Sequence, residues 1–157
     1  MGERSNALAE QFEQAIAEFA EVVKAIPDEK WSAMGGNEGY TVAATAQHVS
    51  GQFALLEMEY ISAAAEGKPM PSYSWDDVNG INDRRAEANK ACTKAQVLGE
   101  LRDDGASMAA YIRSLSDEQL DRTGTLALAG GAAVSTQQLI EGGVLIDHVR
   151  GHMKSIQ

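Results

Sequence analysis

Four segments of the chain repeat apolar residues at intervals of three and four positions, and such a repeat predicts an amphipathic helix. These apolar stripes occupy residues 8–26, 42–60, 97–115 and 139–156. Four helices that each carry one apolar face bury those faces most completely against one another. The sequence therefore predicts an all-α protein, a four-helix bundle that forms a single domain over residues 1–157.

Polar residues before the stripes mark where the helices are expected to begin. Thr41 is the predicted N-cap of the second helix, which should run to about Glu66. Ser or Thr followed three residues later by Gln is typical of a capping box. Three such pairs precede the third helix, a short helical turn and the fourth helix, in that order: Thr93 with Gln96, Ser116 with Gln119 and Ser135 with Gln138. The Gly-centred segment of residues 125–136 predicts a small hairpin or a close-packed loop.

The connection between the second and third helices is unusually long, and its length constrains the topology. It covers residues 67–92, in which a polar run is expected to carry a helical turn or two. A long crossover allows the second and third helices to run parallel. In that arrangement the second and fourth helices are antiparallel, whereas an up-down-up-down bundle would make them parallel.

The chain contains three histidines, and the crossover topology brings them to one level of the bundle. His148 and His152 are four residues apart, so they share one helix face at the spacing of helical two-histidine metal sites. His48 lies near the start of the second helix, and an up-down-up-down bundle would leave it on the order of 15–20 Å from the pair. Spacing alone leaves another interpretation open, in which the pair lies on an exposed face or in a satisfied core.

Several motifs extend along nearly the whole chain: "W…GYTVAATAQHV", "NGIN" in the crossover, "LSDEQLDRTG" and the closing "DHVRGHMKSI". In these motifs the chain resembles the DinB/YfiT-like family of metal-dependent bundle proteins. The resemblance implies the crossover bundle described above and a divalent metal held by His48, His148 and His152. The family is similar in fold to transferases that use low-molecular-weight thiols such as mycothiol or bacillithiol, and to the metal-binding domain of a maleylpyruvate isomerase.

Three imidazole ligands suit Zn, Ni or Fe better than Mg or Ca, and they leave coordination positions open for water or a substrate thiol. We therefore expect a metal-dependent enzyme that acts on small molecules, a thiol S-transferase or a hydrolase with a metal-bound thiolate or water. Two alternatives stay open. One is a non-catalytic, stress-related protein that binds a metal or a small ligand, and the other is an interaction module that forms a homodimer around incidental histidines.

Charge and composition limit the other classes of partner. The 23 acidic and 13 basic residues give a formal net charge of -10, which repels nucleic-acid phosphates and anionic lipids. The chain has no apolar segment typical of a signal peptide or membrane span, and its one cysteine, Cys92, excludes an intramolecular disulfide. We therefore expect a soluble, cytoplasmic protein with neither nucleic-acid nor membrane partners.

Other residues are weaker candidates for the site. Trp75 and Asn82 could close it from the crossover. Trp31 and Tyr40 could line its mouth, although large amphipathic side chains of this kind more often pack in the core. Glu141 lies on the same helix face as the histidine pair and could face the metal or the substrate, but a solvated surface charge is the preferred interpretation. Cys92 is interpreted as an incidental small residue, because no neighbour in the sequence would activate its thiol.

Overall fold

The computed structural model describes residues 2–35 and 39–157. The middle of the Gly-rich loop before the second bundle helix, residues 36–38, lies outside the described part. The elements in chain order are α1 (Glu3–Ala25), α2 (Asp28–Trp31), α3 (Val42–Ser50), a π-helical turn (Phe53–Glu57), α4 (Met58–Ala65), α5 (Trp75–Asn89), α6 (Lys94–Arg113), α7 (Asp117–Asp121), β1 (Thr123–Leu126), a 3₁₀ turn (Ala127–Ala129), β2 (Ala132–Ser135), α8 (Thr136–Glu141) and α9 (Ile146–Ile156). The predicted all-α four-helix bundle is confirmed, with one two-stranded hairpin added to it.

The four bundle helices are α1, the pair α3 and α4, α6, and the pair α8 and α9. Helix α3 packs against α9 while α4 packs against α8, so the second and fourth bundle helices are antiparallel. Gln47 near the start of the second helix donates to Glu100 near the start of the third. At the other end of the same two helices, Arg122, which follows α6 and α7 in the chain, donates to the carbonyl of Ala65, the last residue of α4. The second and third helices are therefore parallel, as the long crossover predicted.

The four apolar stripes meet in one core. Phe12 of α1 and Phe53 of the second bundle helix form an edge-to-face pair whose ring centroids lie 5.2 Å apart. Gly105 brings α6 close to α1, since a Cβ at this glycine would lie 2.6 Å from Ile16 Cδ1. The largest fully buried side chains come from every bundle helix: Phe12, Phe19, Phe53, Ile61, Met108, Ile112, Leu115, Ile140, Leu145 and Val149, among others.

The crossover contains a full helix, where the sequence predicted only a turn or two. Helix α5 spans 15 residues and begins at a reciprocal capping box between Ser74 and Asp77. It packs against α3, yet only Ala86 of its residues is buried. Because so little of α5 faces the core, the helix has no apolar stripe, and the capping box was the available sequence signal.

The second and fourth bundle helices are interrupted, although the stripes predicted continuous helices. The second is broken by the π-helical turn Phe53–Glu57, in which Leu55 has non-helical φ and ψ angles of -113° and -113°. The fourth is broken between α8 and α9, where Leu145 has φ -126° and ψ -80°. The predicted hairpin and the capping boxes at Ser116 and Ser135 are confirmed. None of the helices in the described ranges is both long and apolar enough to cross a bilayer.

Candidate metal centre

The three histidines converge from two helices. His48 lies on α3, and His148 and His152 lie one turn apart on α9, which packs against α3 in the antiparallel direction. His48 Nε2 lies 3.0 Å from His148 Nε2. One ring nitrogen from each histidine can be chosen so that all three lie within 4.8 Å of one another. The rings pack edge to face, with centroids 4.6 to 4.9 Å apart.

The surroundings of the cluster favour neutral imidazoles. Burial lowers the pKa of His48 to about 2, and the neighbouring His148, His152 and Arg85 side chains add to the shift. Burial also lowers the pKa of His152 to about 4, with a further contribution from His148. Both imidazoles are therefore uncharged near pH 7, which is the state in which a histidine nitrogen has a lone pair for a metal.

The donor set fits a first-row divalent ion. Zinc binds histidine nitrogens at about 2.0–2.1 Å, so two nitrogens on one ion lie about 2.8–3.4 Å apart for bond angles between about 90° and 109°. The 3.0 Å separation of the His48 and His148 nitrogens lies within that range. Nitrogen-only ligation is typical of Zn, Ni and Fe rather than of Mg or Ca. The three residues predicted as a ligand set thus lie together, and the nitrogens of His48 and His148 have a separation that one ion could bridge.

Glu57 and Gln52 also face the histidines. Glu57 Oε1 lies 3.0 Å from His148 Nδ1, and the glutamate side chain is 6% exposed. Burial raises the pKa of this carboxyl, and the nearby His148 partly opposes that rise. Gln52 Nε2 lies 3.4 Å from His48 Nδ1 and 3.3 Å from Asn82 Oδ1. Helical periodicity does not predict Glu57 as a site residue, because on an uninterrupted helix it would face away from His48.

A cavity of about 250 Å³ lies beside the cluster and opens to solvent. Its wall combines apolar side chains with neutral amides and hydroxyls, and among the described lining residues Glu57 is the only carboxylate and no Lys or Arg occurs. The residues that line it besides the histidines are Tyr40, Thr45, Gln52, Leu56, Glu57, Tyr60, Trp75, Val78, Asn79, Asn82, Leu128, Gly143 and Val144. The described wall therefore offers no cationic side chain to an anionic group, and any positive charge in the cavity would come from an ion on the histidines.

The weaker candidates divide into residues inside and outside this cavity. Trp75 and Asn82 of α5 line it, as does Tyr40, and Trp75 Nε1 donates to the Leu128 carbonyl of the hairpin at 3.0 Å. Trp31 does not line it; this side chain is buried elsewhere. Its indole Nε1 donates to the Cys92 carbonyl at 2.7 Å.

Two further candidates lie outside the cavity lining. Glu141 is exposed, in agreement with its interpretation as a surface charge. Cys92 is half-buried, and burial raises the pKa of its thiol to about 11. The thiolate, which is the nucleophilic form, is therefore scarce at neutral pH, and this agrees with the interpretation of Cys92 as incidental.

A family model described as the DinB superfamily matches residues 11–156. The chain belongs to the DinB superfamily. The resemblance seen in the sequence motifs is thereby confirmed. No curated protein sequence matches the chain significantly.

Solved structures share the fold of this DinB protein. YfiT from Bacillus subtilis, described as a probable metal-dependent hydrolase with an unusual four-helix bundle topology, has 15% identity and a TM-score of 0.76, over 99% of this chain and 86% of YfiT. A mycothiol-dependent maleylpyruvate isomerase has 14% identity and a TM-score of 0.72; the match covers 98% of this chain but only 60% of the isomerase. An uncharacterised Clostridium difficile protein matches over 99% of this chain and 95% of its own, with 14% identity and a TM-score of 0.72.

Proposed function

We propose that this DinB protein is a metal-dependent enzyme acting on small molecules, either a hydrolase or a thiol S-transferase. The observation that carries the proposal is the convergence of His48, His148 and His152 beside a cavity open to solvent. The description of YfiT as a probable metal-dependent hydrolase supports metal dependence and hydrolysis. The description of the isomerase as mycothiol-dependent supports the use of a thiol. A low-molecular-weight thiol is accordingly one proposed substrate.

Each part of the cavity has a role in this proposal. The three histidines hold the ion, which when bound would lower the pKa of a water or thiol and polarise an electrophile. The apolar wall, which includes Leu56 and Val144, packs against the apolar part of the substrate and excludes water. The amides of Asn79 and Asn82 can donate to and accept from its polar groups. Because no lysine or arginine is among the described lining residues, the bound ion would supply the positive charge that pairs with an anionic group such as a thiolate.

A second candidate function is non-catalytic binding of a metal or small ligand in a stress-related role. The observation in its favour is the lining of the cavity, where the described residues include no fourth histidine and no lysine for proton transfer.

We propose the cytoplasm as the location, since the half-buried Cys92 has no disulfide partner in the chain. A homodimer is a further proposal, and light scattering coupled to size exclusion tests it.

The deciding experiment measures the metal content of protein purified without a histidine tag. We expect near-stoichiometric metal in the wild type and none in the variant in which His48, His148 and His152 are all replaced by Ala. The variant should keep its helical circular dichroism, because the apolar core holds the bundle together. Equal and negligible metal in both proteins, even after incubation with Zn or Ni, would overturn the proposal.

A second experiment separates the candidate activities. The metal-loaded protein is assayed with uncharged esters, and separately with an electrophile in the presence and absence of a thiol. Ester hydrolysis indicates a hydrolase, and turnover that requires the thiol indicates a transferase. Metal binding with neither activity would favour the non-catalytic candidate.

A further inference from the structure

Glu57 is the only buried carboxylate among the described residues. Its Oε1 lies 3.0 Å from His148 Nδ1, but the contact does not have the geometry of a hydrogen bond. Oε2 has no hydrogen-bond partner in the described part of the chain. A buried carboxylate without hydrogen-bond partners lowers the stability of a fold. Packing therefore does not account for a glutamate at this position.

The break in the second bundle helix is what turns Glu57 toward the histidines. Glu57 follows His48 by nine residues, which on a continuous α-helix corresponds to a rotation of about 180°. A π-helical turn contains an extra residue and so rotates the following residues back by about 100°. The turn Phe53–Glu57 lies between the two residues and ends at Glu57 itself. Such turns are frequent at functional sites.

The two ring nitrogens of His148 face different partners. Nε2 points toward His48 Nε2, and Nδ1 points toward Glu57. A neutral histidine binds a metal through Nε2 only when its proton is on Nδ1. An acceptor beside Nδ1 fixes that tautomer and the ring orientation, and it increases the basicity of the ligand nitrogen.

We propose that Glu57 is a positioning residue, whose carboxylate accepts a hydrogen bond from His148 Nδ1 and thereby keeps His148 Nε2 available to a metal ion. Hydrogen bonds at metal and catalytic sites are often poorly aligned in the free protein and tighten in the complex, which is consistent with the present close contact. The inference rests on the proposed metal function of the three histidines.

The test measures zinc affinity by competition with a chromophoric chelator. Glu57→Leu should weaken zinc binding about 10- to 100-fold, the usual effect of removing such a partner. Glu57→Gln should weaken it less, because the amide oxygen still accepts a hydrogen bond. The matched control is Glu59→Gln, which removes an exposed carboxylate two residues away and should leave the affinity unchanged.

Two further readouts distinguish positioning from a structural role. The metal-free Glu57→Leu protein should unfold at the same or a higher temperature than the wild type, because the substitution removes a buried polar group that lacks hydrogen-bond partners. In the zinc-loaded wild type, ¹⁵N NMR should show the His148 proton on Nδ1, and in zinc-loaded Glu57→Leu that signal should broaden or be lost.

Each outcome decides a separate question. Wild-type zinc affinity in both Glu57 variants would overturn the positioning role while leaving the metal site intact. A lower unfolding temperature with unchanged zinc affinity would assign Glu57 a structural role instead. If the wild type itself binds no zinc, the proposed metal function fails, and the inference fails with it.

Discussion

Acidification should destabilise the metal-free protein through its histidine cluster. In the unfolded chain a histidine has a pKa of about 6.5, whereas in the folded protein the pKa of His48 is lowered to about 2 and that of His152 to about 4. Below pH 6.5 the unfolded state therefore binds protons that the folded state does not. Protonation then favours unfolding, and stability falls as the pH falls.

The size of the effect follows from the unfolded pKa. Each pH unit below 6.5 lowers the free energy of unfolding by about 1.4 kcal/mol for every histidine that stays neutral in the folded protein. Both folded values lie below pH 5, so at pH 5 each of the two histidines contributes about 2 kcal/mol. The pair together should remove about 4 kcal/mol from the free energy of unfolding, a large part of the 5–15 kcal/mol of a typical domain.

Urea unfolding with a chelator present, at pH 7, 6 and 5, measures this loss. The matched variant carries His48→Gln and His152→Gln, which cannot titrate in this range, while every carboxylate is retained. The wild type should lose about 4 kcal/mol more than the variant between pH 7 and 5. Parallel curves for the two proteins would refute the reasoning.

Three further predictions concern the core and the crossover. Phe12→Ala and Phe53→Ala should each lower the free energy of unfolding by about 3–5 kcal/mol. A double-mutant cycle should give about 0.5–1.5 kcal/mol of coupling for the edge-to-face contact of the two rings. Fully additive losses of stability in the double variant would contradict the contact. Trp31→Phe should cost about 1–3 kcal/mol by urea unfolding, because it leaves the Cys92 carbonyl without its indole donor. Burial raises the pKa of the Cys92 thiol to about 11. At pH 8 this thiol should therefore react with an alkylating reagent far more slowly in the folded protein than in urea, as followed by mass spectrometry. Equal rates would show that the thiol is accessible and normally acidic.

The parts of the fold that the sequence predicted are those encoded by long periodic patterns. The apolar stripes gave the four bundle helices, and the length of the 67–92 connection gave their directions, which in turn placed His48 beside His148 and His152. The i, i+4 spacing of the latter pair needs only a local helix to bring the two together. These inferences depend on many residues at once, so they tolerate local irregularities.

The parts that the sequence did not predict depend on single local conformations. Helix α5 buries only Ala86, so the sequence has no apolar stripe that predicts this helix. The capping box between Ser74 and Asp77 was the available signal for its start. The turn Phe53–Glu57 contains no proline or glycine that would indicate a break in the helix. Because the facing direction of every later residue on the helix depends on that turn, Glu57 could not be assigned to the site from periodicity.

The two helix interruptions also explain why the cavity lies where it does. The break in the second bundle helix follows His48, and the break in the fourth precedes His148; because these helices are antiparallel, both breaks lie on the same side of the histidines. Leu56 and Glu57 from one break, and Gly143 and Val144 from the other, line the cavity. Two continuous helices would fill such a space with interlocking side chains, as bundle helices normally do. The departures from regular helix thus open the space beside the histidines and, at Glu57, supply the carboxylate that faces them.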